Sequence, residues 1–243
     1  MVFGRRASRP SAVNAPTSAP ASASSRPLGG DAEPIVLPPL AETDPVVREL
    51  VRRLTSHPRL TAWLATDGLI RNFTVVVSNV ANGHKFATLL RPLRPPSRFL
   101  IVDRSNELLV DPRSYERYTG VAEGVAAIDP QGSARLYATL KPRIEEAYRE
   151  LGEPEPSFDR TLERALVLLL ETPTPTGAVR VKPQGGTAYA FVDERLEALT
   201  PAQKLLLRMG PQNAQMIQGK LRDVALALGV PASRLPAPTS RSR

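Results

Sequence analysis

The sequence has no cysteine, and only two of its 243 residues are histidine. The first absence removes disulfides, thiolate metal sites and cysteine nucleophiles from consideration. The second leaves little for zinc or general-base chemistry. His57 and His84 do not share a metal-ligand spacing, and each sits beside a loop residue, Pro58 or Gly83. No G-x-G-x-x-G, G-x-x-x-x-G-K or G-x-S-x-G segment occurs, so neither a phosphate-cradling loop nor a nucleophile elbow is written in the chain. Aliphatic runs are short, Ala165–Leu170 being the longest, whereas a membrane-spanning helix needs about 20 apolar residues. The start is not a secretory leader, because Ala, Ser, Pro and Asn follow Arg5 and Arg6 where an apolar stretch would stand.

What is present is proline, charge and helical periodicity. Much of the proline lies at the two ends. Residues 1–34 are an Ala/Ser/Pro-rich basic arm with almost no large apolar side chains, which predicts disorder. Residues 231–243 form a second basic segment of the same kind. The formal charge is +8, but the arm contributes +2 and the tail +3, leaving only +3 on residues 35–230. Within that domain bases dominate between Val46 and Arg98, and acids between Asn106 and Glu171. Such a layout orients encounters without naming a partner.

The central region reads as a mainly α, single multi-helix domain with one or two short β-hairpins or a small sheet. Ile35–Leu40 is apolar with two prolines and predicts an extended strap on the domain surface. Asp44-Pro45, Asp111-Pro112 and Asp129-Pro130 each pair a capping carboxylate with proline at the first helical position. Asp67 is expected to cap a helix whose face is Leu69, Ile70, Phe73, Val76, Val77 and Val80, closed by Gly83. A short helix carries Leu60, Trp63 and Leu64, and an amphipathic one spans Ser114 to Ile128. Another runs from Pro130 to Leu151, with an interruption at Pro142. Ser157 or Asp159 caps the most apolar helix, and Thr200 and Gly229 bound the last two. Phe99–Val102 and Leu108–Val110 flank a turn at Arg104-Ser105-Asn106, and Thr187–Val192 is a further strand. The helical stripes predict a core containing Trp63, Phe73, Val77, Leu136, Leu140, Leu166, Leu169 and Leu221.

No residue pattern defines a catalytic, cofactor or metal site. Glu145 and Glu146 are neighbours on a helix and point apart, so they do not flank one bond. Two segments are binding candidates. Tyr115 and Tyr118 share a helix face beside Arg113 and Arg117, which suits stacking on a ring or packing inward. Leu206–Ile217 partly follows a helix-hairpin-helix pattern, with Arg208 where the first glycine belongs. Lys204, Arg208, Gln212 and Asn213 flank its turn, and a plain αα-hairpin explains the same residues.

Five segments together resemble the bacterial domain of unknown function 3014 family: Leu37–Leu50, Trp63–Phe73, Ala147–Gly152, Phe158–Leu166 and Pro201–Arg222. The resemblance spans about Leu37 to Gly229. It implies no activity, cofactor or catalytic residue. It implies an architecture of N-terminal anchor, Pro/Ala-rich linker and periplasm-facing domain, of which this sequence shows the linker and the domain. The expected role is a non-enzymatic, envelope-associated interaction or scaffolding domain with a protein partner favoured and no membrane insertion by the chain as written. Nucleic-acid binding through the hairpin near Gly210 and the basic tails is the alternative, and an uncharacterised hydrolase is the third.

Overall fold

A computed structural model describes Met1 and residues 27–237, apart from positions 56, 59, 60, 62, 63, 87, 89, 96, 154 and 187. The expected short helix with Leu60 and Trp63 falls largely outside the described residues, as does most of the basic arm. The order is α1 (Asp44–Leu54), α2 (Leu69–Ala81), a hairpin of β1 (Ile101–Arg104) and β2 (Glu107–Val110), α3 (Arg113–Glu116), α4 (Thr119–Ala126), α5 (Pro130–Glu150) and α6 (Phe158–Leu170). A second hairpin of β3 (Val181–Pro183) and β4 (Tyr189–Phe191) follows, then α7 (Glu194–Glu197), α8 (Pro201–Arg208) and α9 (Pro211–Ala227). The fold is mainly α with two small antiparallel hairpins.

Several elements begin and end on local chemistry. Asp129 accepts from the N–H groups of Gln131 and Gly132 at the start of α5, and Ser157 accepts from Asp159 N–H at the start of α6. Thr200 and Gln203 form a reciprocal capping box on α8. Ser105 and Asn106 both adopt positive φ, 53° and 67°, as a two-residue hairpin turn between right-twisted strands requires. The hairpins remain two separate sheets, joined by a bridge between Leu109 and Arg180.

Three elements differ from expectation. The helix expected from Ser114 to Ile128 is broken at Arg117-Tyr118 into α3 and α4. The expected interruption at Pro142 is absent: α5 runs unbroken through it. Proline removes one N–H from the helical ladder at a cost of about 3 kcal/mol, and here the packing of α5 against both α2 and α9 outweighs that cost. The third concerns the start of α2. Asp67 turns outward to Arg48, at 3.2 Å, and α2 is capped instead by Asp44, whose carboxylate accepts from Gly68 N–H at 2.7 Å and Leu69 N–H at 2.9 Å. The residue expected to start α1 therefore caps the next helix across the interface.

Four helices form a ring. α2 packs against α5 and α6, α9 packs against the same two from the other side, and α1 lies against α2 and α5. The N-terminal strap crosses this ring. Leu28 is buried and its N–H donates to Asp159; Gly29 N–H donates to the carbonyl of Leu228; Glu33 N–H donates to Thr139 Oγ1. Further on, Arg143 holds the carbonyl of Leu37 and Leu40 enters the core, while Val36 points to solvent. After α9, Leu235 is buried and Arg234 pairs with Glu163.

Candidate functional site

The six residues singled out from the sequence lie around the α8–α9 corner. Gly210 makes the turn with φ 86°, and the Tyr115 ring closes over it so tightly that a Cβ there would sit 2.4 Å from Tyr115 Cγ. Asn213 Nδ2 donates to the carbonyls of Tyr115 and Met209, both at 2.9 Å. The corner thus brings Tyr115, Gly210 and Asn213 together. Arg208 turns toward the second hairpin, donating to the carbonyl of Tyr189 at 3.1 Å with its guanidinium 5.1 Å from the centre of the Phe191 ring. Lys204 Nζ donates to the carbonyl and the carboxylate of Glu197, both at 2.7 Å. Tyr118 is buried with Arg117 over its face, and Gln212 is exposed. Burial pushes the Tyr115 hydroxyl above its ordinary pKa, and the Lys204 ammonium holds the Glu197 carboxyl below the usual carboxylate range. Five of the six side chains are thus engaged within the fold.

A second feature escaped the sequence. The helices α2, α5, α6 and α9, with α1 alongside, line an apolar cavity of about 360 Å³ that is partly open to solvent. Phe73, Leu136, Leu169 and Leu221 lie on the apolar stripes of their helices, yet they are only half-buried, whereas Val77, Leu140 and Leu166 are fully buried. All seven line this pocket, the first four with more of their surface exposed.

Among the described residues two polar side chains, Ser133 and Tyr137, line the cavity, and both are already bonded. Ser133 Oγ donates to the carbonyl of Asp129 at 2.8 Å, and Tyr137 Oη donates to Asp159 at 2.6 Å. Asp159 also accepts from Lys141 Nζ at 2.5 Å and from Leu28 N–H at 3.1 Å, which knots α5, α6 and the strap at the cavity's edge. Burial, reinforced by Asp159, pushes the Tyr137 hydroxyl far above its ordinary pKa, so it stays protonated. The lower wall is fixed from outside by two glutamines. Gln203 Nε2 donates to the carbonyl of Leu168, and Gln218 Nε2 faces the carbonyls of Leu169, Leu170 and Thr172, so the C-terminus of α6 is capped by side chains of α8 and α9.

Among the described residues no group of His, Asp and Glu could hold a metal ion, and no helix is long and apolar enough to cross a membrane. The fold and cavity define a helical domain built around an apolar space. The chain matches the family model for proteins of unknown function DUF3014 over residues 69–225, and it belongs to that family. No curated protein and no solved structure matches it.

Proposed function

We propose that this chain is a non-enzymatic, envelope-associated interaction domain, and that its receiving part is the apolar cavity between α2, α5, α6 and α9. The observation that carries this reading is about 360 Å³ of apolar space lined by the stripe residues of these helices. Cavities of that size and apolar lining are the usual form of small-molecule sites. The alternative of nucleic-acid binding has less support, because the turn glycine that would expose backbone N–H groups to phosphate is covered by Tyr115, and Lys204 and Arg208 already have partners.

The test is titration of the full chain with N-phenylnaphthylamine, an uncharged aromatic fluorophore that brightens in apolar surroundings. Saturable one-to-one binding is expected, with a rise in melting temperature, because a ligand that binds only the folded state stabilises it. A protein that leaves the probe dark and its melting temperature unmoved would remove the cavity as the receiving part.

A further inference from the structure

The two hairpins lie side by side. Val110 N–H donates to the carbonyl of Val179 at 2.9 Å beside the Leu109–Arg180 bridge, so the strands run β1-β2-β3-β4 with β1 and β4 outermost. An outermost strand turns the N–H and C=O groups of every second residue away from its neighbour. The two outer strands differ in what meets those groups. On β4 they are taken by side chains: Phe191 N–H donates to the Glu197 carboxylate at 2.9 Å, and the carbonyl of Tyr189 accepts from Arg208 at 3.1 Å. On β1 the two-residue turn makes Arg104 and Val102 the residues bonded to Glu107 and Leu109, and the carbonyl of Leu100 accepts from Asp111 N–H at 3.1 Å. The main-chain groups of Ile101 and Asp103 therefore face outward, and among the described residues no hydrogen bond reaches them.

This open edge is held in place and positively charged. Ser114 Oγ accepts from Leu100 N–H at 2.6 Å and donates to its carbonyl at 2.8 Å, which fixes the residue leading into β1. Arg117 donates to the carbonyl of Ser97 at 2.8 Å and lies over the Phe99 ring. Arg98 and Arg104 stand exposed at the two ends of the strand, and neither has an ion-pair partner among the described residues. The carboxylate opposite Arg104, that of Glu107, is drawn off to Arg180 at 2.9 Å. From Gly68 to Val102 the sequence has no acid, and Asp103 is the one carboxylate on β1.

Edge and charge together select the partner. A nucleic acid or a lipid headgroup offers anions but no strand to pair with Ile101 and Asp103. A second copy of β1 offers a strand, but antiparallel pairing about Ile101 sets Arg98 of one copy against Arg104 of the other, and like charges directly opposite are destabilising. An extended acidic peptide meets both requirements: it adds to the sheet through its main chain and neutralises the arginines. We infer that β1 is a docking edge for an acidic segment of a partner protein, which lies beside Ile101–Arg104 as a further strand. None of these residues lines the cavity, so this surface does not rest on the reading of the cavity as the receiving part.

The experiment is titration of the isotope-labelled full chain, followed by amide resonances and hydrogen exchange. The probe is a capped hexapeptide of alternating valine and glutamate. Saturable shifts and slowed exchange are expected at the Ile101 and Asp103 amides, with no change at Phe191, whose N–H is already bonded. The same peptide with lysine in place of glutamate should bind about fivefold more weakly or worse. A version with methylated backbone amides keeps the charge, loses its donors and should not bind. Arg98→Glu and Arg104→Glu should each weaken the glutamate peptide about fivefold, and together they should turn the preference to the lysine peptide. Asp103→Pro removes one outward N–H, a change that edge strands tolerate, and should abolish binding. If that variant loses its cooperative melt, the two exposed arginine positions carry the test. Equal binding by the methylated peptide would overturn strand addition. So would phosphatidylglycerol vesicles or duplex DNA shifting these amides where the peptide does not. An affinity untouched by both arginine reversals would overturn the acidic assignment.

Discussion

At the scale of single residues, the side chains that matter most in this molecule connect elements far apart in sequence. Gln218 is the clearest case: its amide, buried on α9, faces three carbonyls at the end of α6. Removing a donor and leaving buried acceptors unpaired costs about 1–3 kcal/mol. Gln218→Leu should lower the unfolding free energy by that amount in urea titration. Gln218→Glu should be worse, because it sets a carboxylate against three carbonyls and the negative end of the α6 dipole. A Glu variant as stable as wild type would show that the amide is not the cap. Acid behaviour is set by other residues. Lys204 and Arg113 hold Glu197 and Asp111 below their ordinary values of 4.5 and 3.8. A carboxyl whose folded pKa is depressed contributes stability that is present above the unfolded value and lost as pH falls through the folded one. Stability is therefore expected to decline below about pH 4.5, and Glu197→Gln should flatten that decline in pH-dependent melting.

Elements show why some of the fold was legible and some was not. Asp129, Ser157, Thr200, Gly83 and Gly229 act on groups within a few residues of themselves, so sequence spacing suffices to find their helix ends. Asp44 and Asp67 each stand just ahead of a helical apolar stripe, yet Asp44 caps α2 while Asp67 faces Arg48. Only the approach of α1 to α2 decides between them. Pro142 misleads for the opposite reason, since tertiary packing on both flanks of α5 overrides a local preference. Asp44→Ala should cost about 0.5–2 kcal/mol, the range for a lost helix cap, and Asp67→Ala should be near neutral. Urea midpoints of the two variants check the assignment, and a larger loss for Asp67 would reverse it. The candidate site was half legible. The residues of the α8–α9 corner stand out by type, whereas a cavity is a property of distances between helices, and stripe residues such as Leu136 and Leu221 look alike in sequence whether they meet a neighbour or a void.

For the whole molecule, the folded unit reaches beyond the stretch that helical periodicity marks out. Leu28 and Leu235 are buried in the main core, outside residues 35–230. A chain trimmed to 35–230 gives up both, together with the Asp159 contact to Leu28 and the Glu163–Arg234 pair. Each buried leucine contributes about 1.5–3 kcal/mol, so the trimmed chain should melt well below one spanning 27–237. Equal melting temperatures would show that the flanks rest on the core without holding it.

The two flanks also meet. Asp159 holds Leu28, Glu163 holds Arg234 one turn further along α6, and Gly29 is bonded to Leu228 at the end of α9. Seen mechanically, a pull between the polypeptide before Leu28 and that after Leu235 enters and leaves the molecule through the same short stretch of α6. The load falls first on the Gly29–Leu228 and Asp159–Leu28 bonds, which part in sequence like stitches, and the four-helix ring behind them carries little of it. Tension along the chain would peel the strap from the edge of the cavity before it stretched the bundle.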